Sequence, residues 1–159
     1  MTTLYVCDQG TYTRATDTQI LSRAQQLVAK KFARRSKALL TPKQVRDFLC
    51  VYLHSYEYEV FGLVHLDTQN RVIAVEELFR GTVDQAHIYS REVIKTLLQH
   101  NASSVILFHN HPMGIAEPSL TDELLTRRLK TAFEVFDIQL LDHIIVADIT
   151  YSFSEHGLL

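Results

Sequence analysis

The spacing of apolar residues changes period several times along the chain, and each change marks an element. From about Asp17 to Leu40, Ile20, Ala24, Leu27, Val28 and Phe32 recur at helical spacing with Arg23, Lys30, Arg34 and Arg35 among them, which predicts an amphipathic first helix. Thr41-Pro42-Lys43-Gln44 then reads as a helix start: Thr41 can cap, Pro42 suits the first helical position and Gln44 can reach back. The second helix should turn Val45, Phe48, Leu49 and Tyr52 inward. Residues 59–67 and 71–78 are rich in Val, Ile, Phe and Leu and are joined by Thr68-Gln69-Asn70, the pattern of a β-hairpin. Residues 81–87 read as a loop.

A third helix is expected from Ser90-Arg91-Glu92 to Asn101, with Val93, Ile94, Leu97 and Leu98 as its buried stripe. The short run Val105-Ile106-Leu107-Phe108 is apolar without interruption, as a strand covered on both faces should be. A loop bearing Pro and Gly spans 110–118, and a long helix over about 119–136 should bury Leu125, Leu129, Ala132, Phe133 and Phe136. Strands at about 138–147 and 150–153 follow. This order predicts an α/β sandwich around a mixed sheet flanked by helices.

Composition narrows the class. A chain of 159 residues that is 47% hydrophobic can bury a real core in one domain. Residues 1–40 are expected to form a helical extension ahead of a domain over 41–159. Cys7 and Cys50 are too few and too far apart for a disulfide framework. No apolar run is long enough to cross a bilayer and the start lacks the pattern of a secretory signal, so a cytoplasmic protein with no membrane partner is expected. The net charge of -2 hides an asymmetry, because residues 18–46 hold eight Lys/Arg and no acid. Such a front could meet nucleic acid or an acidic partner, but without aromatic interleaving beyond Phe32 a solvated helix face is the plainer reading.

The candidate chemistry begins where the buried strand ends. His109 and His111, two residues apart on an extended chain, point to the same side with alpha carbons roughly 7 Å apart, so two imidazoles can converge on one ion. Asp122, in the first turn of the following helix, can fold back over the strand end. Two histidines and a carboxylate suit Zn2+ and leave one vertex open for water, which the ion acidifies. Nucleobase deamination would need H-x-E and P-C-x-x-C, and neither occurs. The plain reading of Ser119-x-x-Asp122 is a capping box written with Asp, and Ser119 can serve both ends. His143, next to Asp142, could support a metal ligand or be a hydrogen-bonded core residue, the latter being commoner. His54, His65, His87, His100 and His156 lack ligand spacing and read as surface or capping residues.

The full string is more specific than H-x-H. His109-Asn110-His111, seven residues, then Ser119-Leu120-Thr121-Asp122 resembles the JAMM (MPN-plus) metalloprotease motif in every spacing. The stretches EVFGLVHLDTQNRVIAVEELFRGT (59–82), REVIKTLLQHNASSVILFHNHPMG (91–114), EPSLTDELLTRRL (117–129) and LLDHIIVAD (141–149) look like the RadC-type branch of that superfamily, about two thirds of the chain. The resemblance implies a cytidine-deaminase-like core and a peptidase acting on a peptide or protein amide. It implies zinc held by His109, His111 and Asp122, with Glu59 as acid and base and Ser119 steadying the oxyanion. Without it, Glu57, Glu76, Glu77 and Glu117 compete with Glu59. A rival implication is a DNA-repair or mobile-element protein whose zinc is structural. Met113 stands where the branch usually has Ser, and residues 1–40 do not look like the helix-hairpin-helix region of longer members.

Overall fold

The structure is a computed structural model that describes residues 3–8, 10–34, 41–81 and 88–159. Ahead of the helix expected in the extension, β1 (Tyr5–Asp8) pairs antiparallel with β2 (Thr11–Arg14), a hairpin that was not expected. The β2 side chains are all exposed, so no alternation of apolar and polar residues announced this hairpin. Helix α1 (Asp17–Arg34) follows and packs on α2 (Pro42–Leu53). Residues 35–40 of the predicted helix, with Arg35 and Lys37 of the basic segment, lie outside the described residues, as do the side chains of Val28, Lys30, Phe32 and Arg34 and residues 82–87 of the predicted loop.

The capping box expected at Thr41 is present, with Gln44 N donating to the Thr41 hydroxyl at 3.3 Å and Thr41 N donating to Gln44 Oε1 at 3.2 Å. The hairpin of β3 (Val60–Leu66) and β4 (Val72–Arg80) turns on Asp67, whose carboxylate accepts from Gln69 N and Arg71 N, and on Asn70 at φ 55°. Helix α3 (Ser90–Gln99), β5 (Ser104–Asn110), α4 (Leu120–Glu134), β6 (Gln139–Val146) and β7 (Thr150–Ser152) complete the chain.

The main sheet has the order β4-β3-β5-β6-β7. The β5–β6 pair is parallel, with α4 as its crossover, and the other neighbours are antiparallel. Two apolar cores fill its two sides. Ile106 and Phe108 of β5 join Val45, Phe48 and Leu49 of α2; Val105 and Leu107 join Val93 and Leu97 of α3 and Leu125, Leu129 and Phe133 of α4. The fold is the mixed-sheet α/β sandwich expected. Strand alternation then sends His109 to the α3/α4 side and Asn110 to the α2 side. β3 comes so close to its neighbours at Gly62 that any side chain there would overlap the Phe108 ring and the Glu76 carbonyl.

Three burial expectations fail. Phe136 is 44% exposed because α4 stops at Glu134; Ile138 takes the inward place, its N–H bonded to the Phe133 carbonyl at 3.1 Å. Leu98 is 49% exposed because the inward row of α3 runs through Val93, Thr96 and Leu97. His65, expected at the surface, is fully buried on β3.

Candidate metal centre

His109 and His111 straddle the end of β5, and Asp122 stands in the first turn of α4, three residues after its cap Ser119. The Nε2 atoms of the two histidines lie 2.9 Å apart. Asp122 Oδ1 is 3.4 Å from His109 Nε2, and Oδ2 is 3.6 Å from His111 Nε2. One ligand atom from each of the three residues falls within 4.8 Å of the others.

Hydrogen bonds around this triangle fix which way each ring faces. His111 Nδ1 lies 2.7 Å from the Ile115 carbonyl, which can only accept, so Nδ1 carries the proton and neutral His111 turns a lone pair inward. On the other side a relay does the same for His109. The Thr126 hydroxyl donates to the Asp122 carbonyl at 2.6 Å and therefore accepts from His143 Nδ1, also at 2.6 Å. His143 Nε2 is left to accept from His109 Nδ1 at 2.8 Å, and His109 Nε2 is left with a lone pair. Burial, with the nearby His109, lowers the His143 pKa well below the ordinary value, which keeps that ring neutral.

Asp122 divides its carboxylate between two tasks. Oδ2 accepts from the Ser119 backbone at 2.8 Å and from the Ser119 hydroxyl at 2.6 Å, while Asp122 N donates to Ser119 Oγ at 3.2 Å, which is the capping box. Oδ1 is buried and has no hydrogen-bond partner. A buried orphan acceptor beside two inward lone pairs is electron-rich on every side, and a cation satisfies all three at once. The donor set therefore fits a divalent metal. Without one, a proton stands in. Burial works against ionisation of Asp122, but the facing imidazoles of His109 and His111, with the Ser119 hydroxyl, outweigh it and hold the carboxyl well below the usual range. The Asp122 carboxylate beside it in turn raises the His111 pKa.

Glu59 precedes β3, and its carbonyl accepts from Gly81 N at 2.9 Å. Phe61 pairs with His109 across the antiparallel β3–β5 ladder, and extending that register by two residues sets Glu59 opposite His111. The carboxylate acts on His111, contributing to its raised pKa. What fixes this segment is Asn110, which no spacing rule singles out in the sequence. Its Oδ1 accepts from Val60 N at 2.7 Å and its Nδ2 donates to the Tyr58 carbonyl at 3.0 Å, so it clamps the peptides on both sides of Glu59.

The competing carboxylates are accounted for. Glu77 is bound by Tyr52, Tyr56 and Arg80 on the α2 side, and Glu76 lies with His65 and His100. Glu57 and Glu117 are exposed. Met113 is 89% exposed in the loop between β5 and α4. Thr126 has no linear signal tying it to a site, since a threonine one turn after Asp122 reads as an ordinary helix residue.

Among the described residues no helix is long and apolar enough to cross a membrane. The chain is 52% identical over 125 residues to a UPF0758 protein of Thioalkalivibrio sulfidiphilus and 54% identical over 121 residues to one of Thiobacillus denitrificans. It spans a little over half of those two proteins, 56% and 54% of their lengths. A UPF0758 protein of Vibrio cholerae is 44% identical over 146 residues, covering 92% of both chains. The model of the RadC-like JAB domain matches residues 39–158, which contain the sheet, the His109–His111–Asp122 triangle and Glu59, and with these relatives it makes the chain a member of the RadC-like JAB domain family.

Proposed function

We propose that this domain is a zinc-dependent hydrolase that cleaves a peptide or isopeptide bond. The observation that carries the reading is the convergence of His109 Nε2, His111 Nε2 and the orphaned Asp122 Oδ1 beside a glutamate held by its own clamp. A structural zinc is normally enclosed by four protein ligands; three meet here among the described residues, which favours a catalytic site.

His109, His111 and Asp122 would hold the ion, which when bound supplies Lewis acidity toward water and the substrate carbonyl. Glu59 takes the proton of the attacking water and returns it to the leaving amine. Asn110 keeps Glu59 in place. Thr126 and His143 hold His109 in the tautomer that presents Nε2. Ser119 has a single hydroxyl proton and gives it to Asp122, so to steady an oxyanion it must rotate away, at a cost of about 1.5–3 kcal/mol for a hydrogen bond to a charged group.

The test uses protein purified without a chelating tag, with metal counted by mass spectrometry and hydrolysis followed on fluorogenic peptide and isopeptide substrates. One zinc equivalent should disappear in His111→Ala and persist in Glu59→Gln, while Glu59→Gln slows turnover by about 100- to 10,000-fold. A Glu59→Gln protein as active as the wild type, or a His111→Ala protein with undiminished zinc, would overturn the proposal.

A further inference from the structure

A second convergence of ligand atoms lies at the opposite end of β3. His65 is fully buried, yet neither of its ring nitrogens has a hydrogen-bond partner. Leaving a buried polar atom unpaired is unfavourable, and this ring carries two. A leucine would fill the position without that cost. The groups facing His65 are themselves ligands: Glu76 Oε2 is 3.4 Å from His65 Nε2 and 3.4 Å from His100 Nε2. The two imidazole centroids are 4.4 Å apart, and one donor atom from each of the three residues lies within 4.8 Å of the others.

Their setting suits an ion. The Thr96 hydroxyl, on the inward row of α3, donates to Glu76 Oε2 and fixes the carboxylate, as an outer partner of a metal ligand does. The His100 and Glu76 side chains are 35% and 40% exposed, which gives a cation a way in. In the β3–β5 ladder His65 pairs with Val105 and Phe61 with His109, so this cluster sits four residues, on the order of 13 Å, along the sheet from the first. No residue is shared between them.

We infer that His65, Glu76 and His100 form a second divalent-metal site, of two imidazoles and one carboxylate, separate from the His109–His111–Asp122 centre. Zinc fits this donor set, with copper and nickel as competitors because nitrogen-rich sites bind them at least as tightly. Three protein donors leave a four-coordinate ion one further position. An ion here ties β3 and β4 to the end of α3.

The experiment uses the full chain and zinc as the probe, in the wild type and in His111→Ala, each with and without His100→Ala. Proteins are dialysed against zinc, desalted, counted for metal and melted. His100 is partly exposed and its backbone N–H, not its ring, bonds to the Thr96 carbonyl, so alanine there leaves the fold intact. We expect His100→Ala to remove about one zinc equivalent in both backgrounds, and zinc to raise the melting temperature of His111→Ala but not of the double variant. His65→Leu should also lose that equivalent while being more stable than the wild type in the absence of metal. Equal zinc content and equal thermal response with and without His100 would overturn the inference. Because the two backgrounds separate the centres, loss of this site and failure of the hydrolase reading give different results.

Discussion

Asn110 shows how much one strand residue can control from the unexpected side. Its neighbours His109 and His111 converge with Asp122, while its own amide turns to the other side of the strand and clamps the Tyr58 carbonyl and Val60 N–H around Glu59. If the domain is the hydrolase proposed, Asn110→Ala should leave zinc at His109, His111 and Asp122 in place and lower turnover by about 10- to 100-fold, since a base displaced by even 1 Å loses its alignment. It should also cost about 2–3 kcal/mol, because a backbone donor is left buried and unpaired. Metal counting, steady-state kinetics and urea unfolding on one preparation separate the two effects. Thr126 acts one bond further out. Thr126→Val keeps the shape but removes the acceptor for His143 Nδ1, freeing His143 and then His109 to change tautomer. Zinc affinity, measured against a chromophoric chelator, should fall about 10- to 100-fold, the usual effect of losing an outer partner of a metal ligand.

Among the elements, those with strong period or explicit caps were legible in advance. Thr41 with Gln44 announced α2, and the unbroken Val105–Phe108 run announced β5, because both signals are local. The β1–β2 hairpin was not, since the uniformly exposed side chains of β2 give no burial pattern. The convergence of His109, His111 and Asp122 could be read because these residues fall within fourteen positions of sequence. His65, Glu76 and His100 are joined only by β3–β4 pairing and the packing of α3, so no spacing rule could find them; the one clue was that His65 shares strand parity with Phe61 and Leu63. Asp142 illustrates the same limit. Next to His143 in sequence, it faces the other way and staples β6 to the chain after β7, accepting from His143 N, Ser152 Oγ and Ser154 N at 2.8, 2.6 and 3.0 Å. Burial raises its pKa against those hydrogen bonds. Between the ordinary carboxylate range and that raised value the folded state holds the extra proton, so this group's contribution to stability falls as pH rises through the interval. Urea unfolding should show Asp142→Asn gaining on the wild type as pH increases across it, with the two within about 1 kcal/mol at pH 7.

At the scale of the molecule, the sheet order puts β3 in contact with everything that matters. It is paired to β5 on one side and β4 on the other, it begins just after Glu59, and it ends near His65. The two ligand clusters thus lie on the same face of one sheet, under α3 and α4, with Leu63 and Leu107 of the apolar core between them. Asp122 connects that interior to the surface in a particular way: one oxygen closes the cap of α4 and the other points into the triangle. An ion gripped by Oδ1 would hold the helix end shut, because the first turn cannot fray without letting go of it. Hydrogen–deuterium exchange would make this visible, with the amides of Ser119, Asp122 and Glu123 exchanging more slowly in zinc-loaded than in chelator-stripped protein. Identical exchange in the two states would mean that Asp122 is not a ligand. The start of α4 would otherwise serve as a gauge of occupancy, readable from the backbone without any knowledge of the substrate.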